Sequence, residues 1–296
     1  MSFQFKKVEI SDREWILKIL EKSHCPSLEY NFTTLFLWQK IYNIFVAEHN
    51  GFLLSVSGKD KKSFLFPAGV GDIKKEVDFL IEYAKNNGFG VRFHSLSPEA
   101  KEFLESNYPE KFDFFEDRDS GDYVYLKESL ENLTGKKLAS KRNHINRFVE
   151  NYPEWKYEPI CNENIEEVKA MHNKWCEISG CENEEGLFDE TCAVRCAFKY
   201  YKELELSGGV IRTRDGICAF SIGDKLDDKT FLVHIEKAFA EVQGAYPMIN
   251  KQFVINNCEG FEFINREEDT GDEGLRRAKL SYQPVKIVKK FYAIEK

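Results

Sequence analysis

The sequence predicts an α/β (α+β) fold of two tandem halves, each a mixed central sheet flanked by helices. Three observations carry this. The order strand, two helices, three strands, helix, strand, helix, strand can be read twice along the chain from period and punctuation. Tight-turn dipeptides, Asn50-Gly51 and Asp215-Gly216, sit inside the two three-strand runs. The 296 residues, 42% hydrophobic and 14% aromatic, are enough to bury two cores.

In the first half, FQFKKVEI alternates as a strand does. DREWILKILEKS and NFTTLFLWQK read as helices, and NIFVAEH, GFLLSVSG and KSFLFPA as three strands. GDIKKEVDFLIEYAKNNG is a long helix ending on Gly88. GVRFHS is a strand, and SPEAKEFLESN is a helix with Ser97 as cap and Pro98 in its first turn. KFDFFED and DYVYLK close this half as strands. The second half runs from strand WKYEPI through helices NIEEVKAMHNKWCEIS and DETCAVRCAFKYYKELE to three strands within residues 208–238. Helix GAYPMINKQFVINNC, strand FEFIN, short helix GDEGLRRAKL and a single final strand VKIVKKFYAI complete it.

This order matches the GNAT acyltransferase fold, which divides the chain into 1–130, a basic linker helix 131–152, and 153–296. A net charge of -8 opposes broad attraction to nucleic acid or anionic membrane, so a polyanion needs a local basic patch. No stretch approaches the ~20 apolar residues that span a bilayer. The N-terminal sequence shows no export signal, and the eight cysteines form no C-x-x-C pair, so reduced thiols in a cytoplasmic protein are expected.

Two segments carry unusual charge. From Thr134 to Val149 there is no acidic residue but Lys136, Lys137, Lys141, Arg142 and Arg147. On a helix, Leu138, Ile145 and Val149 form an apolar stripe. Lys141 and Arg142 flank it, with Asn146 beside Arg142. Cations facing the protein body need either buried carboxylates or a bound anion, and both alternatives stand. In the second segment, residues 265–284, Thr270 and Glu273 have the spacing of a capping box, and Lys279 is expected to point inward. Asn265, Arg266, Glu267, Asp269 and Arg276 lie around that helix start, at the strand edge where open α/β sheets bind ligands. Alternation in FLVHIEKA sets His234 and Glu236 on one strand face and Lys237 on the other. His234 is either a general base or a structural histidine paired with Glu236. Where coenzyme A enzymes place a cation or amide and a glycine around the pyrophosphate loop, this sequence has Glu241 and Tyr246 flanking Gly244. His172 with Cys176, and Cys192 with Cys196, have i, i+4 spacing that could hold zinc, but helical cysteines on a buried core face give the same spacing and are the commoner case, so no metal is expected.

The stretches KRNHINRF, HIEKA, GAY and NREEDTGDEGLRRAKLSYQP resemble a bacterial family related to the C-terminal domain of phosphatidylglycerol lysyltransferase. The likeness covers most of the chain and is densest from Gly135 to Pro284. It implies tandem GNAT-like domains of the kind used by Fem-type aminoacyltransferases, in which an amine or hydroxyl attacks an activated ester directly. The expected donor is then acyl-CoA or, in better accord with the altered loop, aminoacyl-tRNA. The 136–147 helix is a candidate tRNA contact. Lys141, Arg142, Arg266, Arg276 and Lys279 are expected to hold phosphate or carboxylate, with Asn146, Lys237, Asn265, Glu267 and Asp269 around them. His234 and Glu236 are candidates for proton transfer, and Tyr282 for donating to a developing oxyanion. The alternative is a non-catalytic module whose charges form a structural ion-pair network.

Overall fold

The computed structural model describes residues 3–23 and 25–296, with backbone alone for 183 and 185. In chain order the first elements are β1 (Lys6–Lys7), α1 (Arg13–Ser23), α2 (Phe32–Trp38), β2 (Phe45–His49), β3 (Phe52–Ser57), β4 (Ser63–Leu65) and β5 (Ala68–Gly69). Then come α3 (Ile73–Asn86), β6 (Arg92–Leu96), α4 (Pro98–Asn107), β7 (Phe112–Glu116), β8 (Asp122–Leu126), α5 (Lys127–Asn132) and α6 (Ala139–Asn151). They are followed by β9 (Lys156–Pro159), α7 (Ile165–Ser179), α8 (Glu185–Lys199), β10 (Ser207–Thr213), β11 (Gly216–Lys225) and β12 (Thr230–Ala238). The last are α9 (Ala245–Asn257), β13 (Phe263–Asn265), α10 (Glu273–Leu280), β14 (Lys286–Val288) and β15 (Phe291–Glu295).

Local chemistry sets many of these boundaries. Asn31, Asp72 and Ser97 each accept a backbone N–H as the N-cap of α2, α3 and α4. Asn50 and Gly51 both have positive φ, at 51° and 81°, which joins β2 and β3 by a tight hairpin turn. The capping box expected at Thr270 does not form. Thr270 has φ 50° and its N–H bonds to the Asp119 carbonyl, so α10 begins later, at Glu273.

The chain divides into one unit of 1–122, 268–272 and 287–296 and a second of 123–267 and 273–286. The first sheet runs β1-β2-β3-β4-β6-β15-β7, with β5 on β3; the second runs β14-β8-β13-β12-β11-β10-β9. A parallel pair occurs in each sheet, β4 with β6 and β12 with β13. The final segment differs from the sequence reading. VKIVKKFYAI makes two strands, and β15 lies between β6 and β7 in the first sheet. Conversely, β8 lies beside β13 in the second. An alternating pattern fixes a strand and its faces but not its partner, which is a long-range choice.

The first unit buries an aromatic-rich core in which Phe52, Phe64, Phe93 and Phe112 meet Leu54, Val77 and Leu80. The second buries Phe220, Ile222, Leu232, Ile249 and Phe253. Beside the first core, Lys290 is 1% exposed, with Nζ 2.5 Å from Asp122 and 2.8 Å from Glu29. Ser95 Oγ donates to Glu29 at 2.8 Å, and Leu28 N–H donates to Asp122 at 2.9 Å. Burial opposes the charge on Lys290, but Asp122, Glu29 and Glu268 outweigh it and hold the ammonium protonated. Removing one partner of such a pair leaves uncompensated charge inside. Lys290→Ala is therefore expected to cost about 3–5 kcal/mol in urea denaturation, against within about 0.5 kcal/mol for the exposed Lys289→Ala.

Candidate functional site

β12 and β13 pair in parallel only over Thr230–Leu232 and Phe263–Asn265. There β13 ends, while β12 continues to Ala238 beside β11. The chain leaving β13 carries Arg266 and Glu267 into the gap next to the free flank of β12. Asn265, fully buried, shapes that exit: its Oδ1 accepts the Glu267 N–H at 2.8 Å, and Glu267 adopts φ 57°.

Arg266 spans the gap. Its Nη2 donates to Glu236 Oε1 of β12 at 2.8 Å, and its side chain is 11% exposed. Burial works against the charge, but Glu236 and the neighbouring tyrosines keep the guanidinium protonated. Glu236 Oε2 accepts from Asn250 Nδ2 of α9 at 3.0 Å. Two polar atoms here make no hydrogen bond among the described residues: Arg266 Nη1, a donor, and Asn250 Oδ1, an acceptor. Such buried orphans are rare and cost about 1–3 kcal/mol each, more when charged.

Tyr282, 4% exposed, packs by this guanidinium, with Arg266 Cζ 4.7 Å from its ring centroid and Lys141 Nζ 4.1 Å from it. Contacts of this kind are attractive through the ring quadrupole. Tyr125 lies edge-on to Tyr282, 6.5 Å between centroids, and its hydroxyl donates to the Lys279 carbonyl at 2.7 Å. Burial raises the Tyr282 pKa well above its ordinary value, so the phenol is neutral and able to donate. Burial and the nearby Arg266 lower that of Lys141. Lys279 is 8% exposed, as its helix position foretold, and donates to the Arg266 carbonyl at 2.5 Å.

His234 is the residue skipped where the β11–β12 register slips between Ile222–Ile235 and Gly223–Val233. Bulges of this type re-aim a side chain. Its Nδ1 lies 2.9 Å from Glu267 and its Nε2 3.0 Å from Asp224. Carboxylates at both nitrogens require two N–H donors, that is, an imidazolium. Burial opposes this charge, but Asp224 and Glu267 prevail and raise the pKa to about 10. No lone pair is left to take a proton, so the expectation of a His234 general base does not hold. Its partners are Glu267 and Asp224 rather than Glu236.

The expected residues thus separate. Lys141, Glu236, Arg266 and Tyr282 form one cluster, and Asn265, Lys279, His234 and Glu267 support it. Arg142 instead donates to the carbonyls of Leu133 and Gly135, tying down the loop before α6. Asn146 is exposed, and so is Val149, at 39%, at the end of the expected stripe. Lys237 is on the opposite face of β12, 2.6 Å from Glu190 and 3.9 Å above Trp175. Asp269 belongs to the first unit, where it accepts from Gly271 N–H at 3.0 Å and lies 3.5 Å from Arg118. Arg276 reaches toward Glu273 of its own helix at 3.9 Å. Asn250, Tyr125 and Asp224 were not anticipated. Asp224 was findable two strands' alternation away from His234; Tyr125 was not, because its strand read as part of the first half. Among the described residues no group of three or more His, Cys, Asp or Glu is disposed to hold a metal. Cys176 instead meets His172 Nε2 at 3.6 Å and Thr191 Oγ1 at 3.1 Å. Among those residues, too, no helix is long and apolar enough to cross a membrane.

Residues 19–294 match the family described as phosphatidylglycerol lysyltransferase, C-terminal. A conserved protein of unknown function from Bacteroides thetaiotaomicron is 37% identical, with 100% of both chains covered and a TM-score of 0.95. The C-terminal domain of a putative lysylphosphatidylglycerol synthetase from Agrobacterium fabrum shares the fold at 16% identity, covering 97% of this chain and 92% of that one, TM-score 0.69. A tandem GNAT protein from the clavulanic acid biosynthesis pathway does so at 9% identity over 98% of each chain, TM-score 0.51. The fold is accordingly of the tandem GNAT-like kind. An uncharacterised protein of Mycoplasmoides gallisepticum is 23% identical over 175 residues, 58% of this chain and about half, 55%, of that protein.

The clamp on His234 has a sign that can be tested. A folded pKa of about 10 lies above the unfolded value, ~6.5. The stabilisation is therefore complete below pH ~6.5 and is lost as pH rises toward 10. In urea denaturation between pH 6 and 10, His234→Gln should be less stable than the parent by on the order of 3 kcal/mol at pH 6. That difference should shrink with rising pH.

Proposed function

Because the chain belongs to the phosphatidylglycerol lysyltransferase C-terminal family, we propose that it transfers an acyl or aminoacyl group from an activated ester to an amine or hydroxyl, in the cleft where β12 and β13 part. The observation that carries this reading is the buried Arg266 guanidinium, one arm bonded to Glu236 and the other, Nη1, without a partner among the described residues. In ester transfer the nucleophile bonds to the carbonyl carbon and the carbonyl oxygen takes up negative charge. When the intermediate collapses, the donor's oxygen leaves with the electron pair and accepts the proton lost by the nucleophile. A charged N–H and a neutral phenol held in a dry site are suited to stabilise that oxygen. Arg266 Nη1 and the Tyr282 hydroxyl fill these roles, and Glu236 with Asn250 orients Arg266.

Aminoacyl-tRNA is favoured over acyl-CoA as donor by the turn before α9. Gly244 has φ 87°, and a Cβ there would lie 2.3 Å from the His144 carbonyl oxygen and 2.9 Å from Phe148 Cβ. The linker helix α6 therefore rests against the turn that in coenzyme A enzymes must stay open to pyrophosphate. The competing reading, a binding module that has lost its chemistry, draws support from His234, whose two nitrogens both face carboxylates.

Loss of ester from charged tRNA, with and without amine or hydroxyl acceptors, tests the proposal. The parent should accelerate it. Tyr282→Phe, which keeps the ring, should lower the rate by roughly 100-fold, as removing an oxyanion donor does, with unfolding temperature little changed. Acceleration equal in Tyr282→Phe and parent, or none by the parent, would overturn it.

A further inference from the structure

We propose that Lys141 and Arg266 form an oxyanion subsite, for carboxylate or phosphate, and that the cleft takes a group that is anionic at this point and rejects a basic, lysyl-type side chain. The proposal rests on the cleft's being a substrate site and names the charge of what enters it.

The charge balance of the cluster is the first support. Among the described residues, the carboxylates around the cluster are Glu236, Glu267 and Asp224, beside the cations Arg266, Lys141 and protonated His234. Every one of those carboxylates is engaged. Glu236 is held by Arg266 and Asn250, and Asp224 and Glu267 face His234 from either side. An incoming ammonium finds none of these carboxylates to itself and must approach the two cations, Lys141 and Arg266, that flank the Tyr282 ring. In a partly dry site that repulsion is weakly screened.

The unused capacity is the second support. Arg266 Nη1 is a buried donor with no hydrogen bond among the described residues. Lys141, half-buried, lies with its Nζ 4.1 Å from the centroid of the Tyr282 ring and makes no ion pair among those residues. Its own helix offers it no acid from Ala139 to Val149. Both cations lie against one ring, Arg266 at 4.7 Å. Two like charges beside one neutral ring repel, and an oxyanion accepting from both relieves that repulsion while taking one of the two N–H bonds of Nη1, the other being left for the oxygen that develops charge in the transfer. Asn250 Oδ1, the orphan acceptor on the far side of Glu236, is left for a hydroxyl or N–H of the same ligand.

The test uses the intact chain and three probes at matched ionic strength in chloride: inorganic phosphate, succinate and L-lysinamide. Thermal unfolding and titration calorimetry give the readout. Saturable stabilisation by phosphate or succinate is expected, and none by lysinamide. The anion that binds identifies the source: phosphate points to a phosphate ester, succinate to an acidic acyl group. Lys141→Met, which keeps the stem against Tyr282, should weaken anion binding at least tenfold while the chain stays folded. Binding of lysinamide without binding of either anion overturns the subsite and leaves the transfer reading standing. Anion binding unchanged in Lys141→Met, or no binding of any probe, also overturns it. Ester transfer assayed separately then decides whether the wider reading falls too.

Discussion

The Arg266–Glu236 pair is the interaction on which the cleft proposed for the second unit depends. A parallel ladder that stops at Leu232 and Asn265 leaves the rest of that flank of β12 without a strand partner among the described residues. One guanidinium crosses that opening at 2.8 Å and fixes the chain leaving β13 to the strand it has parted from. From this follow the position of Glu267, the clamp it makes on His234, and the seating of Tyr282 against the guanidinium plane. A lysine could not replace it, because a single ammonium lacks a planar fork with one edge for Glu236 and another left over.

The two units handle the same kind of buried charge differently. In the first, Lys290 has a carboxylate at 2.5 Å and another at 2.8 Å, and Ser95 and Leu28 secure those acids. That arrangement explains its own presence as structure. In the second, a donor and an acceptor on either side of Glu236 have nothing to bind among the described residues. Burying such groups is costly, and native chains keep them where a ligand or chemistry compensates. Unpartnered buried atoms alone do not set the second unit apart, since Thr34 Oγ1 in the first is another; what leads us to propose transfer chemistry there is that the donor is a charged guanidinium beside a neutral phenol. His234 adds a corrective: a histidine beside carboxylates in a bulge looks like a base, yet two acids make it a fixed cation.

Much of the architecture could be read from local pattern. The cap at Ser97, the Asn50-Gly51 hairpin and the inward aim of Lys279 were all visible, because each is decided within a few residues. Strand partnership was not. β8 and β15 each join the sheet of the other half, and nothing in DYVYLK or FYAI names its neighbour. That exchange hid Tyr125 from the sequence-based site. The cluster itself was half legible. Arg266, Glu236, Tyr282 and Lys141 stood out by charge and type, whereas Arg142 and Asp269 looked equivalent and proved to serve loops. Asn250 looked like an ordinary helix residue, since only its depth gives it meaning.

A double-mutant cycle on stability tests the central pair most directly. Arg266→Met, Glu236→Gln and the double variant would be compared with the parent by urea denaturation. If the pair organises the cleft, each single change is costly and the double is far less so than their sum, with a coupling on the order of 2 kcal/mol or more. Costs that add to within about 0.5 kcal/mol would show that the two residues act independently, and the account of the cleft would fail with them.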